Sequence, residues 1–437
     1  DSLSCRSQRS GCHSQGASPL GAVAPLPGLP SLPGEVYTFR AGQRWPPTSI
    51  PTSILPRRIV RTMQQEPYRF ETPLATPSPY VLGEGLAPLL PAELHRLGFD
   101  RCFLVTSRKL FELWGRDLVK RLRRDSVRAT VLLVGDGEDQ KSWRVLQRLS
   151  ERLVQAGATR DSLLLALGGG VVGNVAGMAA GLLYRGIRFV ELPTTVMALT
   201  DSTLSNKQAV NGRRGKNLFG LYHAPKLIWG DVAWARSEPL RQQRSGVVEG
   251  LKNVFISQSG PAGAEAILDA WDHADLPRLV RLLIESKFPI LRADPTEKGS
   301  AVILEYGHTF GHALEFLGQG RLFHGEAVAI GMCLAGELSH ALGHLPASVL
   351  ADHYHLLGDR LGAPTAFPDW LEPEALLQAM QNDNKRTRQG LGYLLLKGYG
   401  EFVNPGGDRQ IGVESGVVLE TLRRAQARSR ETTPASR

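Results

Sequence analysis

Four short segments are almost uniformly apolar: Arg101-Cys-Phe-Leu-Val-Thr106, Ala129-Thr-Val-Leu-Leu-Val-Gly135, Ser162-Leu-Leu-Leu-Ala-Leu167 and Phe189-Val-Glu-Leu-Pro193. A strand with one wet face alternates polar and apolar residues. Strands without that alternation are buried on both faces, as in a parallel sheet flanked by helices. From about Tyr68 to Asp231 the chain therefore reads as a Rossmann-like α/β unit. Beyond Arg241 the β signal fades and helical periods run through Leu251, Leu282, Leu304, Leu314 and Met332; only Tyr393 to Leu396 reads again as a strand. The expected fold is α/β, an N-terminal parallel-sheet domain over residues 63–240 followed by a mainly helical domain over 241–420. Residues 1–62 and 421–437 are expected to be a disordered leader and tail.

Of the 437 residues, 42% are apolar and 21% charged, an ordinary globular balance with core enough for two or three domains. The formal charge of +9 belongs to the ends, where seven Arg face two acids up to Thr62 and five Arg face one Glu from Thr421 onward. With a neutral body and no basic stripe interleaved with aromatics, nucleic acid is not an expected partner. The longest weakly polar stretch, Val171 to Tyr184, is broken by Asn174 and glycines and is too short to span a bilayer, so no membrane span is expected. Cys102 and Cys333 sit in apolar runs without any Cys-x-x-Cys pairing, which suits a reducing cytoplasm. The leader holds nine of the 28 prolines, six Gly and nine Ser, and Met63 is the first methionine. So polar and Pro-rich a segment reads as dispensable.

Three segments of the second half carry metal-binding chemistry: Gly246-Val-Val-Glu-Gly-Leu-Lys252, Glu305-Tyr-Gly-His-Thr-Phe-Gly-His312 and His324-Gly-Glu-Ala-Val-Ala-Ile-Gly331. Glu249, His308 and His324 make one carboxylate and two imidazoles, a set suited to catalytic Zn2+ or Co2+ with coordination positions left for water or substrate oxygens. Each segment alone is weak evidence, and their company carries the reading. In the first half, Gly168-Gly-Gly-Val-Val-Gly-Asn174 follows a strand and opens a helix, where a pyrophosphate would meet free N–H groups and the positive helix end. Gly137-Glu-Asp-Gln-Lys141 and Pro193-Thr-Thr195 end neighbouring strands and border the same crevice. Between the glycine turn and the metal-binding segments lies a polar stretch read as a loop, Asp201-Ser-Thr-Leu-Ser-Asn-Lys207-Gln-Ala-Val-Asn211 and Gly215-Lys216-Asn217. With Arg185, Lys252, Lys287 and Lys385 it could hold a phosphate and several hydroxyls.

These motifs, in this order, resemble the sugar phosphate cyclases, the family of 3-dehydroquinate synthase, from about Tyr68 to Gly400. The wording of Asn174-Val-Ala-Gly-Met-Ala-Ala-Gly, of the Asp201 to Asn211 segment, of Glu305-Tyr-Gly-His308 and of Asp383-Asn-Lys-Arg386 is similar to the 2-deoxy-scyllo-inosose synthase subgroup. Dehydroquinate synthases place Asp at Asn174, Thr at Gln208, Asn at Glu305 and Arg at Ala301. An Arg aimed at the substrate would pair with a heptulosonate carboxylate, whereas Ala301 is neutral and Glu305 would repel one. Ser107 departs from the acid that many members carry at a strand end for the adenosine ribose.

The resemblance implies a lyase that takes glucose 6-phosphate to the carbocycle of aminocyclitol antibiotics, with NAD and one divalent metal, Co2+ or Zn2+, as cofactors. It implies metal ligands at Glu249, His308 and His324, and hydroxyl and proton handling by Lys207 and Glu305. Substrate would be bound by Arg185, Asp201, Lys216, Asn217, Lys252, Lys287, His312 and Lys385. Cofactor contacts are implied for Glu138, Lys141, Gly169, Gly170, Asn174, Thr194 and Thr195. A cytoplasmic homodimer is expected. Dehydroquinate synthase itself and a metal-dependent polyol dehydrogenase stay open as alternatives.

Overall fold

A computed structural model describes residues 66–213, 215–381, 391–404 and 409–432, together with the strand Val36–Tyr37. Among the described residues ten strands precede the helical half. They are β1 (Val36–Tyr37), β2 (Tyr68–Glu71), β3 (Pro79–Gly83), β4 (Cys102–Ser107), β5 (Ala129–Val134), β6 (Leu163–Gly168), β7 (Arg188–Pro193), β8 (Lys207–Gly212), β9 (Gly215–Tyr222) and β10 (Leu227–Asp231). Among the described residues eight of them form one sheet in the order β1-β5-β4-β6-β7-β10-β3-β2. The inner six are parallel, and the short β1 and β2 pair antiparallel at the two edges.

The apolar strands are buried on both faces, as their lack of alternation requires. Leu163, Leu165 and Leu167 of β6 join one core cluster with Leu104 and Val190, while Leu164 and Ala166 face another with Phe103 and Phe189. The second cluster is closed by the helices Trp143–Gln155 and Gly170–Leu182, whose Leu146, Leu149, Val175 and Ala179 bury against it. A third, larger cluster fills the helical half and reaches the sheet through Tyr80, Leu82 and Ile228. The described residues from 66 onward belong to one compact unit.

Several sequence expectations need correction. The segment from Lys207 onward is not a loop: β8 and β9 form an antiparallel hairpin, with Gln208 opposite Leu221 and Val210 opposite Phe219. Its polar residues lie on a ribbon whose apolar positions are only partly covered, so strand periodicity was masked. The tail is not disordered from residue 421. The helix Ser415–Thr432 buries Leu422, Ala425, Gln426 and Ser429, its Ser429 hydroxyl accepting from the Phe367 amide at 2.8 Å. Arginines on its other face hid an amphipathic helix; Arg423 pairs with Glu374 and Arg428 with Glu337. Within the leader, β1 pairs with β5; the rest of the leader lies outside the described residues. The late β signal is also richer than one strand, with small pairs Gly392–Leu394 with Gln410–Gly412 and Leu396–Gly398 with Glu401–Phe402. Among the described residues no helix is long and apolar enough to cross a membrane.

Candidate active site

Three helices deliver the histidine and glutamate side chains. Glu249 lies in the middle of Leu240–Phe255, His308 opens His308–Gly318 and His324 opens His324–Ala341. Glycines let these helices approach almost backbone to backbone. A Cβ on Gly331 would sit 2.2 Å from the Gly307 carbonyl oxygen, and one on Gly325 would sit 2.2 Å from that of Ser245. Gly307 has φ +77°, the left-handed conformation that favours glycine, and it turns the chain directly into His308. The start of the His324 helix is fixed by Glu326, which accepts from the Phe323 amide at 2.9 Å and takes both arms of Arg241 at 2.6 and 2.7 Å.

The result is a converging donor set. His308 Nε2 and His324 Nε2 lie 3.7 and 3.6 Å from the same oxygen, Glu249 Oε1, and the three candidate ligand atoms all lie within 4.8 Å of one another. That oxygen is buried and has no hydrogen-bond partner, while Oε2 of the same carboxylate takes Lys252 Nζ at 2.5 Å. A buried carboxylate oxygen left unpaired beside two imidazole nitrogens is costly without a cation, so the residues present fit a divalent metal. Each ring is also held from behind: His308 Nδ1 donates to the Tyr306 carbonyl at 3.1 Å, and His324 Nδ1 lies 3.2 Å from Glu315 Oε2. Burial and then Lys252 hold His308 well below the ordinary histidine range, keeping its lone pair available.

A second, charged layer surrounds this set. Lys287 Nζ donates to Asp201 Oδ1 at 2.8 Å, with the lysine side chain 4% exposed. Burial would raise the Asp201 carboxyl, but Lys287 and Lys252 pull it below the usual carboxylate range. Burial likewise opposes charge on Lys287, and Asp201 and Glu297 overcome it. Glu305 ends the short turn Ser300–Glu305 and adds its negative field at His308; the His312 ring stands 5.2 Å from that of His308. Ala301 is buried, its amide bound by Asp294 at 3.0 Å, and brings no charge. Lys207, at the start of the hairpin, pairs with Glu297 at 3.2 Å, and Glu297 also accepts from Ser205 at 2.7 Å. Glu297 borders a cavity of about 280 Å³ shared with Asn206, Tyr222 and Lys298.

The glycine turn follows β6 and opens Gly170–Leu182 as its spacing predicts, next to the point where strand order reverses between β4 and β6. In open parallel sheets that switch point is where ligands settle. A Cβ on Gly169 would press on Thr195, while Gly170 faces the Ser202 hydroxyl. Thr194 Oγ1, just past the end of the strand Arg188–Pro193, is buried without a hydrogen-bond partner. Thr195 is committed to capping Val196–Thr200 through Ala198, and Asn174 bridges Gly170 and the hairpin at Ala209. Lys141 Nζ meets Asn217 Oδ1 at 2.5 Å, and Glu138 accepts from Asn211 at 2.8 Å and lies 3.6 Å from Lys216. Ser107 caps its own helix by accepting from Leu110, at 3.3 Å.

Glu249, His308 and His324 thus converge, with Lys252, Lys287, Asp201, Glu305, His312 and Lys216 around them. Arg185 does not make these contacts; it lies exposed in a left-handed turn with φ +69° beside Gly186. Lys385 lies outside the described residues. Three acids escaped the sequence reading. Glu315 sits two helical turns after His308 on the same face, a spacing that could have found it. Glu297 stands in an irregular loop with no local signal. Glu191 stands on β7 in an apolar run, lining with Gly168, Gly173 and Ser202 a cavity of about 10 Å³, near the size of one water. Burial raises its carboxyl to about 8, against a weak 3.5 Å contact from Gln208.

Known proteins place this geometry. The 3-dehydroquinate synthase N-terminal family profile matches residues 131–245, and the 3-dehydroquinate synthase C-terminal profile matches 250–386. The 2-deoxy-scyllo-inosose synthase of Streptomyces lividus is 38% identical over 358 residues, covering 79% of this chain and 92% of its own length. The crystal structure of 2-deoxy-scyllo-inosose synthase complexed with carbaglucose-6-phosphate, NAD+ and Co2+ superposes with a TM-score of 0.75 at 30% identity, over 82% of this chain and 99% of that one. At 23% identity, 2-epi-5-epi-valiolone synthase from Streptomyces hygroscopicus subsp. jinggangensis 5008 shares the fold, with a TM-score of 0.69 over 80% of this chain and 96% of that one. A sheet half bearing a glycine turn, a helical half bearing a Glu-His-His set, and relatives matched over nearly their whole length lead to one conclusion: the chain belongs to the sugar phosphate cyclases, the family of 3-dehydroquinate synthase and 2-deoxy-scyllo-inosose synthase.

Proposed function

We propose that the protein converts glucose 6-phosphate to 2-deoxy-scyllo-inosose with release of phosphate, as a 2-deoxy-scyllo-inosose synthase of aminoglycoside biosynthesis. The observation that carries the choice within the family is the pairing of a neutral, buried Ala301 with the Glu305 carboxylate beside His308. A heptulosonate carboxylate would find repulsion there and no guanidinium, whereas sugar hydroxyls would find an acceptor.

When bound, NAD+ supplies a hydride acceptor that returns what it takes, and the divalent cation polarises a sugar hydroxyl. Glu249, His308 and His324 would hold the cation. Asp201, kept ionised by Lys287 and Lys252, accepts hydrogen bonds from substrate hydroxyls. Glu305 and Lys207 Nζ handle hydroxyl protons, Lys207 being held ready by Glu297. The ammonium groups of Lys252, Lys287 and Lys216, with His312, Asn217, Arg185 and Lys385, are assigned to phosphate and hydroxyls. Thr194, with its unpaired hydroxyl, and the amides of the Gly169-Gly170 turn are assigned to the nucleotide, together with Glu138, Lys141, Asn174 and Thr195. The cofactor residues lie within the α/β domain, residues 63–240, and the metal ligands within the helical domain, residues 241–420, with substrate contacts drawn from both.

We assign the protein to the cytoplasm as a homodimer. The dimer is supported by exposed large apolar side chains on and beside the hairpin, Trp143 at 53% against Phe219 at 50%, and Tyr222 at 54% near the hairpin's open end; sedimentation of the full chain tests it. Incubation with glucose 6-phosphate, NAD+ and Co2+ or Zn2+ tests the activity. The expected result is phosphate release and a carbocyclic ketone with no steady accumulation of NADH. Stoichiometric NADH release would indicate a polyol dehydrogenase instead, and efficient turnover of the heptulosonate would indicate dehydroquinate synthase.

A further inference from the structure

We propose that Glu315 is a positioning residue that sets the metal affinity of the site by locking the ring of His324, itself braced by Lys216. The inference rests on the metal-site reading above and extends it to a residue outside the ligand set. Of the three candidate ligands, Glu249 and His308 are buried, whereas the His324 side chain is 34% exposed. His324 stands at the first position of its helix, where packing holds a side chain least. Its orientation therefore needs a partner, and Glu315 is the group that supplies one: Oε2 lies 3.2 Å from Nδ1 while Nε2 faces Glu249.

With the carboxylate oxygen of Glu315 facing Nδ1 at 3.2 Å as acceptor, Nδ1 carries the ring proton and Nε2 keeps its lone pair toward the cation position. The second oxygen is not idle. Oε1 takes Lys216 Nζ at 2.5 Å, and that ammonium lies 3.6 Å from Glu138. Glu315 is thus fixed from both ends, with 13% of its side chain exposed. It lies on the same helix as His308, so one helix supplies a ligand directly and aims a second ligand that belongs to its neighbour.

The test is the Co2+ dissociation constant of the full chain, measured by competition with a chelator and read from the cobalt absorption, with melting of the metal-free protein as a second readout. Glu315→Gln and Glu315→Asp are compared with wild type. Partners of metal-bound histidines are worth on the order of 10- to 100-fold in affinity, and both variants are expected to weaken Co2+ by that factor while the metal-free protein melts near wild type. Gln removes the charge at constant reach, and Asp keeps the charge but withdraws it from Nδ1. Affinity within threefold of wild type in Glu315→Gln overturns the proposal. Affinity retained in Glu315→Asp also overturns it, because charge alone would then suffice. If Gln fails to fold, the Asp result decides. His308→Ala, run alongside, separates the two levels: Co2+ affinity that survives His308→Ala rejects the metal site itself, whereas loss there with wild-type affinity in the Glu315 variants rejects only the role of Glu315.

Discussion

Gly331→Ala is the substitution in which packing and chemistry are most directly joined. Its new Cβ would meet the Gly307 carbonyl oxygen at 2.2 Å and the Gly311 amide nitrogen at 2.8 Å, both backbone atoms that cannot rotate away. Ordinary carbon-to-oxygen contacts begin near ~3.3 Å, so the helices must part by roughly 1 Å. Overpacking of this kind costs about 1–3 kcal/mol. Because Gly307 immediately precedes His308, the same displacement moves a metal ligand, and metal–ligand distances keep within about 0.2 Å of their preferred values. The expected outcome is a metal-free protein melting a few degrees lower, and a Co2+ affinity at least tenfold weaker. Melting by circular dichroism with and without Co2+ reads both. A variant with unchanged melting and unchanged Co2+ stabilisation would refute the claim that glycine-permitted contact sets the spacing of the ligands.

Other expectations can be checked in parallel. His308→Ala is expected to abolish turnover while binding of the nicotinamide cofactor, followed by fluorescence on titration with NADH, stays measurable, since the glycine turn belongs to the sheet half; loss of both would contradict that division. Thr194→Val removes a buried hydroxyl that has no partner, so folding stability should hold or rise by about 1 kcal/mol while affinity for NAD+ drops; an unchanged affinity would remove Thr194 from the cofactor site. For Glu191 the carboxyl is raised from 4.5 to about 8, so the native state holds the proton more tightly than the unfolded chain. Its contribution to stability is complete below about pH 4.5 and is lost as pH climbs through about 8, at a cost on the order of 1 kcal/mol per pH unit. Urea melts of wild type should weaken over that window more steeply than those of Glu191→Gln, and parallel profiles would show that Glu191 titrates normally.

The legible parts of the fold and the less legible ones differ in a physical way. Leu163 to Leu167 could only be a strand buried on both faces, because five apolar residues in succession have no wet side, and the turn after them was set by glycines. Glu249, His308 and His324 were visible because their chemistry is rare at such spacing. The hairpin was not, since Lys207, Asn211, Lys216 and Asn217 make its ribbon polar and its packing partners lie on the distant Gly170–Leu182 helix. The helix Ser415–Thr432 was hidden by its arginines, whose partners Glu374 and Glu337 are far away in sequence. Glu297 and its hold on Lys207 depend on a loop path that no local pattern encodes.

The position of β3 bears on how the chain is made. It is translated early, yet its parallel neighbour β10 emerges roughly 140 residues later, at Leu227–Asp231, on the order of ten seconds at common rates of synthesis. Until then Tyr80, Val81 and Leu82 have only the edge strand β2 for company, and a lone two-stranded ribbon is barely stable. The nascent chain therefore presents an apolar ribbon to whatever is nearby, and that interval is where chaperones and aggregation compete for it. The same order of events limits dissection of the protein. Any fragment that stops before Leu227 strands β3 and leaves β7 as an open edge, so the sheet half becomes separable only with β10 included.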